Sequence, residues 1–345
     1  MKPFLIGRSL EELTAYVEAK GFPKFRAKQL FSWLYDHAVC DPAAMGNLPG
    51  DLRTAVREDF YAPGSRIAEC AAGADGVEKL LLTLHDGEQI EMVILPAEDG
   101  RTTFCLSTQV GCPVQCRFCA SGRHGLVRNL SAGEMLEEFC LGVGRAGRPD
   151  NLVFMGIGEG LLNFPELSAA LSRLTGEFRF APRRITVSTS GYVPGMEQFA
   201  ALHREYNLAV SLHAVDDATR AALIPSHCRY PIAEILAAAD AIRDANGRQY
   251  TLEYVLLAGI NDAPDAAEKL GKLAIAHRAK VNLIPYNETG GTEFRRPARN
   301  VVADFERRVA ATGARVTCRV ERGSGNTAAC GQLRAARRMK GGSEI

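Results

Sequence analysis

The stretch Gly111-Cys112-Pro113-Val114-Gln115-Cys116-Arg117-Phe118-Cys119 decides the reading of this chain. It sets three cysteines at Cys-x3-Cys-x2-Cys spacing just after a strand-like run, Thr102–Ser107. Three thiolates on one tight loop can ligate three corners of a four-iron cluster and leave the fourth iron open, unlike a closed site with four protein ligands. Two blander readings stand beside it. A zinc site would need a fourth Cys or His, and His124 is the near candidate. Alternatively the cysteines are small core hydrophobes, which is how Cys40, Cys70, Cys140, Cys228, Cys318 and Cys330 read when taken singly.

Outward from this loop the pattern is regular. Strand-like runs fall at Asn151–Met155, Arg184–Ser188, Leu208–Leu212, Tyr250–Leu256, Val281–Pro285 and Val316–Val320. Between them lie helix-like runs at Ser131–Val143, Pro165–Leu174, Gly195–Tyr206, Ile232–Ala245, Asp265–His277 and Ala303–Ala311. Alternating strand and helix predicts a parallel sheet with crossover helices. No Gly-x-Gly-x-x-Gly opens the first unit, so a barrel or partial barrel fits better than a doubly wound sheet. In such a barrel the chemistry gathers at the C-terminal strand ends. Gly158-Glu159, Ser188 to Gly191, Ser211-Leu212-His213, Asn261-Asp262 and Asn287 all lie there. Glycines admit close backbone approach and Glu159 can take an ammonium, although each group alone also reads as an ordinary loop polar residue.

Before the barrel the chain changes character. Ser9 and Glu12 have capping-box spacing, and Leu10, Leu13 and Val17 follow a helical period to Gly21. A second apolar face is Leu30, Phe31, Leu34 and Tyr35, and Leu52–Phe60 suggests a third helix. Residues 61–75 read as a linker. Val77–Leu84 and Gln89–Leu95, joined across Asp86-Gly87, read as a β-hairpin. Glu91 falls on a face with Val93 and Leu95, a carboxylate on an apolar-flanked side.

Composition narrows the partners. With 41 basic and 40 acidic residues among 345, the chain is not basic enough to coat nucleic acid everywhere. Any nucleic-acid contact would have to come from local groups: Arg295-Arg296 with Arg299, the segment Arg334, Arg337, Arg338 and Lys340, and Arg117, Arg123 and Arg128. Apolar runs such as Val153–Ile157 are far short of the ~20 residues a membrane span needs. No signal pattern precedes Gly7-Arg8, so the expected compartment is the reducing cytoplasm, where clustered cysteines indicate metal or redox chemistry.

From about Glu91 to Leu333 the chain resembles the RlmN/Cfr radical S-adenosylmethionine (SAM) adenine methyltransferases. The anchors are Cys105 to Cys112, Cys116 to Gly122, Met155 to Glu159, Ser188 to Gly191, Ser211 to Ala214, Asn282 to Asn287 and Ala328-Ala329-Cys330-Gly331-Gln332-Leu333. The resemblance implies an α/β fold: a partial (β/α)6 radical SAM barrel with an N-terminal helical accessory domain and a small β-hairpin extension. The expected division is 1–60 accessory domain, 61–97 linker and hairpin, 98–333 radical SAM core and 334–345 basic tail. It implies a [4Fe-4S] cluster on Cys112, Cys116 and Cys119, and SAM held by Gly158, Glu159, Ser188, Ser211, Leu212, His213 and Asn287, two SAM per turnover. Cys330 would become the S-methylcysteine intermediate, Cys105 would form a transient disulfide with it, and Glu91 would accept a proton. Implied substrates are an adenosine of 23S rRNA, methylated at C2 or C8, and for some members a tRNA adenosine. A reductant such as flavodoxin or ferredoxin would supply electrons to a monomeric enzyme.

Two other readings remain at this point. One keeps the radical chemistry but changes the RNA or nucleotide substrate. The other is a non-catalytic iron–sulfur RNA-binding protein, against which the presence of both Cys105 and Cys330 argues, since binding needs neither.

Overall fold

Parallel strands covered on both faces read as near-continuous apolar runs, and these runs assemble here into one large sheet. The computed structural model describes residues 2–73, 75–123, 125–225, 230–288 and 293–319. Its main sheet has ten strands in the order β1 (Arg66–Ala72), β2 (Glu78–Thr83), β3 (Gln89–Pro96), β4 (Thr102–Cys105), β7 (Asn151–Phe154), β8 (Ile185–Thr189), β9 (Asn207–Ser211), β10 (Thr251–Leu256), β11 (Lys280–Pro285) and β12 (Val316–Cys318). From β4 to β12 all neighbours are parallel, while β1 to β4 pair antiparallel. A separate two-stranded ribbon, β5 (Gln109–Gly111) with β6 (Leu126–Asn129), brackets the cysteine loop.

The hairpin is therefore no separate appendage, since its strands continue the barrel sheet. The segment expected to be a linker carries β1, an edge strand whose residues are mostly exposed. Its sequence, Arg-Ile-Ala-Glu-Cys-Ala-Ala, lacks the one-faced alternation that signals a half-buried strand.

The crossover helices are α4 (Ala132–Ala146), α5 (Phe164–Thr175), α6 (Val193–Ala200), α8 (Ile232–Asn246), α9 (Pro264–Ala276) and α10 (Arg299–Ala311), with a short α7 (Asp217–Leu223) before α8. α4 starts on a reciprocal capping box between Ser131 and Glu134. It packs tightly because of Gly142: a Cβ there would lie 2.2 Å from Met92 Cε and 2.7 Å from the Phe104 ring.

At the N-terminus α1 (Leu10–Ala19), α2 (Phe25–Tyr35) and α3 (Gly50–Asp59) precede the sheet. The Ser9–Glu12 box caps α1 as the spacing predicts. Leu13, Val17, Leu30, Leu34 and Leu52 belong to the same buried cluster as Leu136 and Phe139 of α4. The Tyr35 hydroxyl donates to Arg8 O and accepts from Gly7 N, and its ring meets Phe178 edge-on at 5.1 Å. The helical region thus shares one apolar core with the barrel.

Polar residues line the inner face of the sheet. Ser211, Glu253, Asn282 and Thr317 lie in register across β9 to β12. Asn282 donates to Glu253 at 2.6 Å, and Thr317 donates to Asn282 at 3.1 Å. Glu253, Asn282 and Thr317 of this row line a cavity of ≈ 640 Å³ together with Met155, Thr186, Asn207 and Thr251.

Candidate active site

The cysteine loop runs between the strands of the β5–β6 ribbon. Gly111 takes φ +76°, and a Cβ there would come within 2.0 Å of Gly125 O, so close backbone approach demands glycine. Cys112 N donates to Gly125 O at 3.0 Å and Cys119 N to Cys116 O at 3.0 Å. Arg117 N donates to Leu223 O, which ties the loop to α7. Cys112, Cys116 and Cys119 are half-buried, packed on an apolar collar of Val114, Phe118, Leu223, Leu257, Tyr286 and Phe294.

This donor set fits an iron–sulfur cluster. Burial pushes the Cys112 thiol up to about 12, while the N–H groups of Val114 and Gln115 favour its thiolate, as they would a cluster-bound sulfur. Among the described residues no three His, Cys, Asp or Glu side chains converge on a point that would hold a single ion, the arrangement a closed zinc site requires. Thiolates that each meet their own iron of a four-iron cluster need no such convergence. His124, the candidate fourth zinc ligand, lies outside the described residues.

The strand-end groups expected to meet SAM lie along the same mouth. Gly158 has φ +115°, and a Cβ there would strike Thr108 Oγ1 and Gln109 Cβ, both at 2.7 Å. Glu159 is buried, with its carboxyl raised first by burial. Its Oε2 accepts from both the backbone N and the hydroxyl of Ser190, at 2.6 and 2.7 Å, and its Oε1 from Leu161 N at 3.3 Å. Ser188 and Ser211 bring their hydroxyls to 3.5 Å of one another. Leu212 is fully buried, and its N–H donates to Glu253 O at 3.1 Å. Asn287 is exposed just beyond β11.

His213 sits at φ +59°. Its Nδ1 accepts from Val255 N at 3.1 Å, which leaves the proton on Nε2. Burial pushes its pKa down to about 3, so the ring is neutral at ordinary pH. The ring meets Phe118 of the cysteine loop edge-on at 5.0 Å. Asn261, read in the sequence as one more polar strand end, holds this turn: it donates to His213 O at 2.8 Å and Val255 O at 2.7 Å.

Glu91 and Cys105 share the inner face of the sheet. Val93 pairs with Cys105, Cys105 pairs with Val153, and Glu91 lies two residues from Val93 on the same side. Cys105 is buried among Val77, Val93, Leu95, Val153 and Met155, and Met155 also borders the cavity that reaches the N-terminal ends of β9 to β12. Next to Cys105, Ser107 is a junction that the sequence pattern does not reveal. Its hydroxyl donates to Glu91 O at 2.7 Å and accepts from Ile157 N at 2.9 Å. Its N–H is shared by both carboxyl oxygens of Glu138 on α4, each at 3.0 Å. Glu138 is fully buried and its carboxyl is raised well above the ordinary range by burial.

The basic groups divide. Arg128 is engaged by Asp86 and Glu134, and Arg117 by Glu293 at 2.7 Å. Arg128 is thus a structural cation and not a ready phosphate contact. Arg295 and Arg299 are exposed on the segment after β11. Cys330, Arg334, Arg337, Arg338 and Lys340 lie outside the described residues.

Comparison with known proteins matches residues 106–270 to the radical SAM superfamily. Residues 5–61 match the ribosomal RNA large subunit methyltransferase N-terminal domain. The chain is 41% identical over 328 residues to a "Dual-specificity RNA methyltransferase RlmN" of Geotalea uraniireducens, covering 94% of this chain and 95% of that one. It is 40% identical over 333 residues to a "Probable dual-specificity RNA methyltransferase RlmN" of Thermosynechococcus vestitus, covering 96% and 98%. A solved radical SAM methyltransferase from Sphaerobacter thermophilus superposes with TM-score 0.91 at 40% identity, over 97% of this chain and 100% of the other.

Proposed function

The chain belongs to the RlmN family of radical SAM RNA methyltransferases, and from that membership we propose that it methylates an adenine ring carbon of RNA through an S-methylated Cys330. The observation that supports this reading is the shared inner face of Glu91 and Cys105, beside a cysteine loop whose glycine-dependent fold suits a cluster.

Cys112, Cys116 and Cys119 would hold a [4Fe-4S] cluster, which when bound would supply the electron for cleavage of the SAM sulfonium bond. The chain's residues do the rest. The Ser188 and Ser211 hydroxyls, the backbone at Gly158 and the neutral Nε2–H of His213 offer hydrogen bonds to SAM along the strand ends. Leu212 gives an apolar wall, and Asn287 stands at the rim. Glu159 braces the Ser190 turn. Cys330 would be the thiolate that takes the methyl group from one SAM, with S-adenosylhomocysteine as the leaving group, and activation of that methyl would need a second SAM, hence two per turnover. Cys105 then attacks the Cys330 sulfur to free the product, leaving a disulfide that a reductant reopens. Glu91 accepts the proton lost from the adenine carbon.

The substrate class is an adenosine of 23S rRNA, with a tRNA adenosine as second substrate in keeping with the dual specificity in the relatives' names. The target base must leave its stack to reach Cys330, so an exposed adenine is the better substrate. A flavodoxin- or ferredoxin-type donor and a cytoplasmic monomer complete the proposal. No helix among the described residues is long and apolar enough to cross a membrane.

The test is nucleoside mass spectrometry of rRNA and tRNA incubated anaerobically with reconstituted protein, SAM and dithionite. Methylated adenosine is expected with wild type and none with Cys330→Ala. Cluster-loaded protein that cleaves SAM yet leaves every adenosine unmethylated refutes the proposal.

A further inference from the structure

Asn261, one of the polar residues that the sequence places at the strand ends, has no part in the chemistry described so far. It lies in the loop between β10 and α9, with 3% of its surface exposed. Its side-chain amide is fully engaged. One N–H donates to Val255 O at 2.7 Å and the other to His213 O at 2.8 Å, while Oδ1 accepts from Leu257 N at 2.7 Å. Two carbonyls on the nitrogen side and an N–H on the oxygen side fix which way the amide faces. The bonds to Val255 and Leu257 close the residue's own loop, as does the Tyr254 hydroxyl, which donates to Asn261 O at 2.9 Å. The bond to His213 does not. It crosses 48 residues of sequence to the end of β9, where His213 takes φ +59°. That conformation is uncommon for a residue with a side chain and persists where its surroundings hold it. Two further bonds hold it here, from Val255 N to Nδ1 at 3.1 Å and from the His213 N–H to Glu253 O at 3.4 Å. Leu257, the donor to Oδ1, is fully buried in the collar under the cysteine loop, and the His213 ring meets Phe118 of that loop at 5.0 Å. One amide thus ties the end of β9 to the wall on which Cys112, Cys116 and Cys119 pack.

We propose that Asn261 is a positioning residue for SAM: its amide holds the backbone of His213, and so fixes where the His213 Nε2–H is offered relative to the cysteine loop. This rests on the reading of His213 as a SAM contact. The bonding pattern asks for asparagine. Aspartate has the same shape and keeps an acceptor for Leu257 N, but an ionised carboxylate donates to neither carbonyl and sets negative charge against both. Leucine fills the space and takes a partner from two carbonyls and an N–H.

The experiment uses anaerobically reconstituted holoenzyme: wild type, Asn261→Asp, His213→Ala, their double variant and Tyr254→Phe. For each, iron content, melting temperature, the SAM dissociation constant by equilibrium dialysis, SAM cleavage by the dithionite-reduced protein and hydrogen exchange over residues 211–214 are measured. Asn261→Asp is expected to keep its iron, to weaken SAM binding about ten- to a hundredfold and to speed exchange over residues 211–214. Cleavage at saturating SAM should stay within about threefold of wild type, a loss in KM and not in kcat. The double variant should bind SAM about as weakly as His213→Ala, since two residues that act through one contact are not additive. Tyr254→Phe loosens the same loop without touching the bond to His213, and should melt earlier with unchanged SAM affinity. If Asn261→Asp loses its iron, Asn261→Ser, which keeps one donor and one acceptor, carries the same expectations. Unchanged SAM affinity, additive losses, equal weakening by Tyr254→Phe, or loss of iron in both position-261 variants overturns the proposal. A His213→Ala protein that binds SAM like wild type overturns the reading of His213 itself, and this inference with it.

Discussion

Glu137 offers a sharp test of the electrostatics that join α4 to the segment before the sheet. It projects from α4, and its Oε1 accepts from Gly64 N at 2.8 Å. Its Oε2 is buried and has no hydrogen-bond partner among the described residues. Burial, the largest cause, raises its pKa from 4.5 to about 7. A group raised in the folded state contributes stability that is complete below the unfolded pKa and is lost as pH rises through the folded one. Glutamine has the same shape, keeps an acceptor for Gly64 and never ionises. At pH 5.5 the unfolded carboxyl is already mostly ionised while the folded one still holds its proton, and by pH 8 both are ionised. Between those two pH values the wild type should therefore lose about 2 kcal/mol relative to Glu137→Gln, since each tenfold difference in proton affinity is worth about 1.4 kcal/mol. Glu138, Glu159 and Glu253 are also raised by burial and tilt both proteins' curves equally, so only the difference is diagnostic. The assay is urea unfolding of both proteins at the two pH values, with the cluster protected anaerobically. A gap between variant and wild type that is the same at pH 5.5 and pH 8 would refute the raised carboxyl.

Two more expectations concern the loop and the RNA. Gly111→Ala must move either the ribbon or Gly125, since its Cβ would lie 2.0 Å from Gly125 O at φ +76°. Iron per chain after anaerobic purification should fall to less than half of wild type, and full iron would show that the loop tolerates the change. For RNA binding, replacing the exposed Arg295 and Arg299 with alanine should flatten the log–log salt slope by about one to two, at roughly 0.7–0.9 per phosphate contact. Arg128→Ala should leave the slope alone and lower the melting temperature, because its guanidinium already serves Asp86 and Glu134.

The fold is legible where burial writes itself into adjacent residues. Runs such as Leu208 to Leu212 and Val281 to Pro285 are mostly apolar because helices cover the outer face, with Ser211 and Asn282 turned to the polar interior, and they emerge as β9 and β11 within a residue or two. Elements without such a run escape. β1 lies at the sheet edge and is mostly exposed. β5 and β6 depend on a positive-φ glycine more than on strand propensity. α7 has seven residues, of which only Arg220 and Leu223 are buried. The same division runs through the site. Cysteines spaced within one loop show their chemistry locally. Lys79 appears in the sequence only as a charge among Val77, Leu80, Leu81 and Leu82, and Ser107 finds Glu138 across 31 residues. Their neighbours are set by strand register and helix packing, which no local window contains.

The mouth of the barrel also divides labour differently from what residue types suggest. A buried glutamate at a strand end invites the role of ammonium acceptor, but Glu159 already receives Ser190 N, the Ser190 hydroxyl and Leu161 N. Arg220 in turn donates to Ser190 O, so the β8 turn is gripped from both sides. These bonds fix the backbone at Leu161 and Ser190, and packing demands glycine at positions 156 and 158: Cβ atoms there would each strike neighbouring protein atoms at 2.7 Å. Ser107 extends the same logic inward. It joins Ile157 of that turn to the backbone of Glu91 and to Glu138 on α4, so a displacement of the glycine turn is transmitted to the strand that carries the proposed base. The glycine turn and the backbone of Glu91 are in this way parts of one hydrogen-bonded unit, held where water cannot compete for its donors.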